Sequence, residues 1–315
     1  MEKRELGKSG IKIVPLAFGG NVFGWTVNEL NSFLLLDSFV GAGFNLIDTA
    51  DVYSRWAPGN KGGESETIIG RWLAKSGNRN KVVIATKVGK EMGPAKKGLT
   101  RKYITQAVED SLQRLQTDYI DLYQSHDDDR DTPLEETLGT FAELIKQGKI
   151  RAIGASNYSA KRLTEAIRIS EKYGYPRYES IQPLYNLYDR MPFEKELAPL
   201  CLEKQVGVIS YYALASGFLT GKYRSETDLY KSARGSGIKK YLNERGFRIL
   251  HALDEIAEQY HSIPAVIALA WIRANPSITA PIASATNTSQ LDGLMKAMGL
   301  NLDKTAMDLL NKASE

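Results

Sequence analysis

Four side chains of types that serve acid–base catalysis directly follow short apolar segments. Asp48 and Tyr53 belong to the stretch Asp-Thr-Ala-Asp-Val-Tyr, Lys87 follows Ala-Thr, and His126 follows Gln-Ser. Tyrosine has an ordinary pKa near ~10 and is a poor acid at neutral pH. A neighbouring ammonium group lowers that pKa, and a carboxylate beside the lysine keeps the ammonium charged and fixed.

These residue types together make a general-acid site. Tyr53 is expected to donate the proton, Lys87 to tune it, and Asp48 to anchor the lysine. A neutral His126 is expected to orient a substrate oxygen. Such a site suits carbonyl reduction, in which the oxygen gains negative charge as hydride arrives. Two other interpretations of Lys87 stay open from the residues alone, namely a surface cation and the Schiff-base lysine of an aldolase.

Other chemical motifs are weak or missing from the sequence. No cluster of histidine or cysteine has the spacing of a zinc site, so no metal is expected. Gly217–Lys222 has one residue too few between its glycines for a P-loop, and no dinucleotide fingerprint follows a strand. Its backbone N–H groups could still bind pyrophosphate, with Lys222 adding charge. Asp51 and Asp127–Asp129 are interpreted as a solvated acidic rim, although Asp127 could touch substrate.

Short apolar segments alternate along the chain with longer amphipathic ones. Most of the short segments are continuously apolar, as parallel strands buried on both faces are. We predict eight such strands: Leu16–Phe18, Asn45–Ile47, Val82–Ala85, Ile120–Tyr123, Ala152–Ile153, Ser180–Gln182, Val208–Ser210 and Ala280–Ile282. Eight strand–helix units predict a (β/α)8 barrel, with a doubly wound sheet as the competing fold. Lys3–Leu6 and Ile11–Val14 flank a turn and predict an N-terminal hairpin.

The helices are predicted from apolar spacing and from end signals. The first has an apolar stripe of Leu30, Phe33, Leu36 and Val40, and another has Ile104, Val108, Leu112 and Leu115. Around residue 132, Thr132 is expected to cap a helix with Pro133 at its first position and Glu135 completing a capping box. The stretch from Tyr223 to His261 is about twice a normal crossover. It is either a mobile loop and extra helix over the barrel mouth or a plain surface insertion.

Composition narrows the class of protein. Of 315 residues, 43% are hydrophobic and 25% charged, which is typical of a globular protein. The net charge of +4 gives no case for nucleic-acid or membrane binding. The single cysteine, Cys201, allows no intrachain disulfide and favours the cytoplasm. The polar N-terminus shows no secretory signal.

Seven pieces of the sequence, in order along nearly the whole chain, resemble the aldo-keto reductase superfamily. They are Asn45–Tyr53, Gly63–Glu66, Ala85–Lys87, Tyr119–His126, Gly154–Asn157, Gln182–Asn186 and Gly217–Lys222. The stretch Ser210–Gly217 resembles the bacterial branch. The resemblance implies a single (β/α)8 barrel domain over residues 1–315, with an N-terminal hairpin, that reduces aldehydes or ketones with NADPH.

The resemblance also implies roles for individual residues. The family's catalytic tetrad matches Asp48, Tyr53, Lys87 and His126. The implied cofactor contacts are Ser156, Asn157 and Gln182 at the nicotinamide amide, Tyr211 stacked on its ring, Gly20 and Asn21 near the ribose, and Leu214, Gly217, Leu219 and Lys222 along the pyrophosphate. Trp25, Trp56 and Tyr185 are expected to line the substrate pocket.

The segment after the last strand departs from the family pattern. Thr286 stands where arginine is common, and Gly293-Leu294 replace a Glu-Asn pair that grips the adenosine end. Ser284, Thr286 and Gln290 offer hydroxyl and amide groups there, but no bidentate cation. A lysine from elsewhere could compensate, and NADPH is expected ahead of NADH. Because potassium-channel β-subunits share the resemblance, a nucleotide-binding regulatory module with slow residual reductase activity is the alternative.

Overall fold

The computed structural model describes residues 2–315, and within them eight parallel strands close into a barrel. Two strands of an N-terminal hairpin come first, β1 (Arg4–Glu5) and β2 (Lys12–Ile13). The eight barrel strands are β3 (Ala17–Gly19), β4 (Leu46–Asp48), β5 (Val83–Val88), β6 (Ile120–Ser125), β7 (Ile150–Ser156), β8 (Tyr178–Gln182), β9 (Gly207–Ser210) and β10 (Ala280–Ala283). β3 to β10 follow one another around the barrel in chain order, and β10 pairs with β3. The predicted (β/α)8 barrel is therefore confirmed, and the doubly wound sheet is excluded.

Helices cover the outside of the barrel. They are α1 (Glu29–Gly41), α2 (Glu64–Ser76), α3 (Arg101–Leu115), α4 (Leu134–Lys146), α5 (Ala160–Tyr173), α6 (Ala198–Lys204), α7 (Glu244–Gln259), α8 (Pro264–Ala274), α9 (Thr288–Ala297) and α10 (Lys304–Ala313). Within residues 2–315, none of these helices combines the length and the apolar character that crossing a bilayer requires.

The predicted hairpin is confirmed as the antiparallel pair β1–β2. Its apolar side chains Leu6, Ile11 and Ile13 are buried in one cluster with Leu46, Leu122 and other residues of the barrel strands. The hairpin precedes β3 in the chain, and it packs against the barrel at the end from which the strands start. The opposite end, where the strands finish, carries the predicted catalytic residues.

Two helix predictions need correction in detail. The buried face of α1 is Ser32, Leu35, Leu36 and Phe39, whereas Leu30 is 69% exposed. The predicted stripe was rotated because Leu34 and Leu35, adjacent in sequence, give no sequence signal of which one faces inward. In α4, Pro133 occupies the cap position without a side-chain cap bond. Thr132 instead donates to Asp129 at 2.7 Å, so the predicted capping box does not form.

The long connection between β9 and β10 lies over the barrel mouth. Its part from residue 223 to 261 contains two short 3₁₀ segments, Glu226–Lys231 and Gly235–Tyr241, followed by α7. Ile238 and Tyr241 are buried and fix the second segment to the body of the protein. The guanidinium carbon of Arg234 lies 5.5 Å from the ring centre of Trp25, on the loop after β3. The connection thus reaches across the mouth, and a plain surface insertion does not describe it.

Candidate active site

Lys87, Asp48 and Tyr53 meet at the end of the barrel where the strands finish. Lys87 Nζ donates to Asp48 Oδ2 at 2.7 Å, to the Thr49 carbonyl at 2.7 Å and to Tyr53 Oη at 2.9 Å. The side chains of Lys87 and Asp48 are 0% and 1% exposed. With three acceptors around it, Lys87 is held as an ammonium, which excludes a surface cation and disfavours the free amine that an aldolase needs.

Strand register brings these residues together. Asp48 is the last residue of β4 and pairs with Ala85 of β5, while Lys87 pairs with Gln124 of β6. Side chains alternate along a strand, so Ala85 and Lys87 both face the barrel interior, as does Asp48 next to them. Tyr53 follows in the turn that leaves β4, which returns its hydroxyl to the lysine.

Electrostatics leaves the proton on the phenol. Burial, and then the Asp48 carboxylate, raise the pKa of Tyr53 well above its ordinary value of 10.0. Burial lowers the pKa of Lys87, against the opposing effect of Asp48. The sequence predicted a net lowering of the Tyr53 pKa by Lys87. The structure gives the opposite direction, because burial of the phenol, and then the nearby Asp48 carboxylate, both disfavour the phenolate and raise the pKa.

His126 lies beside Tyr53, with the two ring centres 6.0 Å apart. It is 7% exposed, and burial, Lys87 and Lys90 together lower its pKa well below 6.5. The imidazole is therefore neutral at physiological pH. Its Nδ1 is buried and has no hydrogen-bond partner within the described chain. The proton is thus best placed on Nε2, which makes that nitrogen a donor.

The second oxygen of Asp48 is held by two glutamines. Gln182 Nε2 donates to Asp48 Oδ1 at 2.9 Å and Gln124 Nε2 at 3.3 Å. Ser156 Oγ donates to the Gln182 carbonyl at 3.0 Å. Gln124 was not singled out from the sequence, although its place two residues before His126 on β6 signals that it faces the barrel interior. Ser156 and Gln182, predicted as nicotinamide contacts, lie one strand apart at this end of the barrel.

An aromatic wall stands beside Tyr53. Trp25 and Trp56 meet edge to face with ring centres 5.7 Å apart, and Trp56 lies 5.9 Å from Tyr53. The predicted third member, Tyr185, is misplaced. It is fully buried, its ring stacks on Trp271 of α8, and its hydroxyl donates to a glutamate.

Tyr185 therefore belongs to the outer helix layer, away from the barrel mouth. Tyr212 is the mouth tyrosine that sequence reasoning missed. It is 50% exposed, has a left-handed backbone (φ 54°) and lies next to Tyr211, with ring centres 5.2 Å apart. Nothing in the sequence distinguishes the two directions in which these tyrosines point.

The predicted acidic rim holds only in part. Asp51 is 2% exposed, and neither carboxyl oxygen meets a hydrogen-bond partner among residues 2–315. Burial, and then Glu66, raise its pKa well above the ordinary value. Asp128 is paired with Arg162, and Asp129 accepts from the Leu99 N–H and from Thr132. Asp127 is the one member of the set with an exposed carboxylate at the mouth, at 42% exposure.

The predicted nicotinamide residues after β7 and β9 are already linked to each other. Asn157 Nδ2 donates to the His126 carbonyl at 3.0 Å and to Asp127 Oδ1 at 2.7 Å. Tyr211 Oη donates to Asn157 Oδ1 at 2.8 Å. On the other side of the barrel, buried Gly20 follows β3, and the amide of Asn21 lies 2.7 Å from Ser284 Oγ.

The segment Gly217–Lys222 is a turn with unusual backbone. Gly217 has φ 101°, a conformation that favours glycine. Leu214 is partly buried and Lys222 is exposed, but Leu219 is fully buried, so its side chain is not accessible to a ligand. Beyond β10, Gln290 Oε1 accepts from the Thr286 N–H at 2.9 Å and lies 3.1 Å from its hydroxyl.

A further cation at the mouth was missed by sequence reasoning. With the Asn21 amide nitrogen toward Ser284, the Asn21 oxygen accepts from Arg234 Nη2 at 2.9 Å. Arg234 forms no salt bridge within the described residues, and burial lowers its pKa. It lies in the long connection, where no motif marks it. An unneutralised guanidinium beside Trp25 is suited to an anionic group.

Comparison with known proteins gives a consistent picture. The model described as "Aldo/keto reductase family" matches residues 15–315. The uncharacterized oxidoreductase YrpG of Bacillus subtilis is 34% identical over 319 residues, covering 99% of this chain and 95% of the relative. L-glyceraldehyde 3-phosphate reductase of Escherichia coli O157:H7 is 31% identical, with 95% and 88% covered. A probable voltage-gated potassium channel subunit beta of Arabidopsis thaliana is 33% identical, with 95% and 91% covered.

Proposed function

Because the chain belongs to the aldo/keto reductase family, we propose that it reduces an aldehyde or ketone to an alcohol with Tyr53 as the general acid. It is an NAD(P)H-dependent reductase of that family. The observation that carries the proposal is the contact of Tyr53 Oη with the ammonium of Lys87 at 2.9 Å, itself fixed by Asp48 at 2.7 Å.

The chain's own residues account for the proton and for substrate orientation. Tyr53 holds a proton at Oη and would give it to the carbonyl oxygen. The hydrogen bond from Lys87 then stabilises the phenolate that remains. His126 would donate from Nε2 to the same oxygen and so fix the direction of the carbonyl. Bound reduced nicotinamide supplies the hydride to the carbonyl carbon.

The residues around this site fit a nicotinamide dinucleotide. Tyr211 offers an aromatic face at the mouth, and Asn157, Ser156 and Gln182 offer polar groups beside it. Lys222 and Arg234 are the nearby cations for phosphate, and neither is paired with a carboxylate in the part of the chain that the structure describes. Donors, cations and ring thus match the chemistry of the cofactor.

We propose NADPH ahead of NADH. At the adenosine end, Thr286 and Gln290 are bonded to each other and Ser284 to Asn21, so that end provides hydroxyls without its own cation. Arg234, which reaches Asn21 from the long connection, supplies a positive charge beside these hydroxyls. Its contact with Asn21 supports a role for the long connection in holding the phosphates.

A test of the proposed function is substitution of the phenol. Tyr53→Phe should lower kcat for reduction of an aldehyde panel by about 10²–10⁴-fold, because only the proton donor is lost. Binding of NADPH, followed by nicotinamide fluorescence, should change little. Tyr173→Phe replaces an exposed tyrosine at the end of α5, so it is the matched control and should keep full activity. Undiminished turnover in Tyr53→Phe would refute the assignment.

The alternative is a regulatory module that binds nucleotide and turns over slowly. The similarity to proteins named as potassium channel β-subunits is the observation that favours it. A steady-state assay of NADPH consumption separates the two functions. Turnover far below one per minute with every carbonyl compound, together with tight NADPH binding, would favour the module.

We also propose that residues 1–315 act as one domain and that the protein works in the cytoplasm. The barrel is closed by strands drawn from nearly the whole chain, which supports the first statement. The single cysteine, Cys201, is buried and unpaired, as is common for proteins of a reducing compartment.

A further inference from the structure

A line of side-chain contacts crosses the barrel mouth from one strand end to the next. Lys90 Nζ, after β5, donates to Asp127 Oδ2 at 2.6 Å. Asn157 Nδ2, after β7, donates to Asp127 Oδ1 at 2.7 Å. Tyr211 Oη, after β9, donates to Asn157 Oδ1 at 2.8 Å. Asp127 therefore lies between the half-exposed Lys90 ammonium and the amide that accepts from Tyr211.

Two acceptors, the Asp127 carboxylate at 2.7 Å and the His126 carbonyl at 3.0 Å, together set which way the Asn157 amide faces. Asn157 has a left-handed backbone (φ 59°) and an exposed side chain, so little packing restrains it. Asp127 can only accept hydrogen bonds, which requires the NH₂ side of the amide to face it. The amide oxygen is then turned toward Tyr211 and accepts its hydroxyl proton. Lys90 keeps Asp127 in place from the other side.

Tyr211 needs this contact because only its backbone is held by the sheet. Its N–H donates to the Pro183 carbonyl at 2.9 Å, while its ring is only partly buried. Of the side-chain hydrogen bonds across the mouth, the one to Asn157 is the bond that fixes the tip of this ring. The ring's orientation thus depends on Asn157, and the orientation of Asn157 depends on the shorter bond to Asp127 together with the bond to the His126 carbonyl.

We propose that Asp127 is a positioning residue that holds the Tyr211 ring, through Asn157, in the orientation required to stack on the nicotinamide. The inference rests on the proposed function, since it assumes that Tyr211 receives the cofactor. It assigns Asp127 and Lys90 to cofactor binding, although neither would touch the cofactor.

The experiment measures the dissociation constant of NADPH by nicotinamide fluorescence in single and double variants. Asp127→Ala should weaken binding by about three- to tenfold, the value of one modest hydrogen bond. Tyr211→Phe keeps the ring, loses the tether and should weaken binding by a similar factor. Since both remove the same restraint, the double variant should bind no more weakly than either single variant.

Two further variants make the measurement specific. Asp131→Ala removes an exposed aspartate from the same loop and should leave the dissociation constant unchanged. Asp127→Asn keeps the volume and one accepting oxygen, so it should bind better than Asp127→Ala. If the alanine variant folds poorly, the dissociation constant of NADPH is measured in Asp127→Asn instead. KM for the carbonyl substrate should change less than KM for NADPH in every Asp127 variant.

The outcomes separate this inference from the function on which it rests. An unchanged dissociation constant in Asp127→Ala would overturn the inference, as would losses that multiply in the double variant. If the wild-type protein binds NADPH and the variants give either of these results, the inference alone is overturned. Wild-type protein that binds neither NADPH nor NADH overturns the proposed function as well.

Discussion

At the scale of single residues, the charged groups of the site are Lys87 and Asp48, and the group that holds a proton is the neutral Tyr53. Lys87 and Asp48 form an ion pair inside the barrel, at 2.7 Å, while burial and the Asp48 carboxylate keep the phenol of Tyr53 protonated. A second buried acid, Asp51, lies behind Lys87, and its backbone N–H donates to the Lys87 carbonyl. Catalysis and stability therefore depend on groups whose ionisation burial has shifted.

The pH profile of reduction follows from these shifts. The raised pKa of Tyr53 keeps the proton donor loaded through neutral and mildly alkaline pH. The lowered pKa of His126 keeps the imidazole neutral above about pH 6.5, its ordinary midpoint. We expect kcat/KM to be constant from about pH 6.5 to 8.5 and to fall only on the alkaline side. A profile with a midpoint near pH 7 would contradict these roles.

Asp51 makes a prediction about stability. A carboxyl group whose pKa is raised by folding contributes stability below its unfolded value of about 3.9. That contribution is lost as the pH rises toward the folded pKa, so the acid is a cost at neutral pH. Asp51→Asn, which does not titrate, should raise the free energy of unfolding by roughly 1–3 kcal/mol at pH 8.

The measurement is urea denaturation of Asp51→Asn and wild type at pH 8 and at pH 4. The gain should shrink at pH 4, where about half of the unfolded aspartate also holds its proton. Asp131→Asn, at an exposed position, serves as control and should change stability by less than about 0.5 kcal/mol at either pH. An equal gain at both pH values would show that ionisation is not the cause.

At the scale of elements, the close approach of α2 and α3 supports the site from outside the barrel. A Cβ added to Gly70 of α2 would lie 2.1 Å from the Arg114 carbonyl oxygen on α3. Arg114 in turn donates to Glu66 at 2.7 Å, and Glu66 accepts from Thr86, the neighbour of Lys87. The spacing of the two helices is thus linked, through Arg114, Glu66 and Thr86, to the strand that carries Lys87.

Gly70→Ala should therefore destabilise the protein by about 1–3 kcal/mol, since the clash outweighs the gain in helix propensity. Gly293→Ala in α9 is the matched control. Its added Cβ would meet nothing closer than Ile263 at 3.7 Å, and it should stabilise by up to about 1 kcal/mol. Thermal unfolding of both variants checks this. Stabilisation of Gly70→Ala would mean that α2 and α3 separate readily.

The sequence predicted where helices and strands lie better than it predicted which way their side chains point. Continuous apolar segments located all eight barrel strands, and the position of Asp48 and Lys87 at strand ends brought them together as expected. Apolar spacing failed on α1, where Leu34 and Leu35 compete for the same face.

Tyr185 and Asp51 show why some of the site escaped prediction. Both follow strands and look alike in sequence to residues that face the mouth. Tertiary packing turns Tyr185 into the helix layer and buries Asp51 behind Lys87. Arg234 escaped for a different reason, because a contact between loops far apart in the chain has no local signal.

At the scale of the whole molecule, the long connection covers the mouth and brings Arg234 to Asn21, one of the residues predicted to contact the cofactor. Arg234→Met should weaken NADPH binding by about tenfold or more, the loss expected for a charge-assisted hydrogen bond to phosphate. Lys239→Met, on the same connection but paired with Glu226 at the surface, should have little effect. Fluorescence titration at two salt concentrations checks both, because the wild-type constant should depend more on salt than that of Arg234→Met.

The β1–β2 hairpin gives the barrel a floor. Its three apolar side chains fill the end from which the strands start, so a ligand reaches Tyr53 only from the rim at the opposite end, where the strands finish. The proposed coenzyme and carbonyl substrate would then both enter at that rim, beneath the long connection. We therefore expect the order in which the two ligands bind to depend on which of them lies deeper in the barrel.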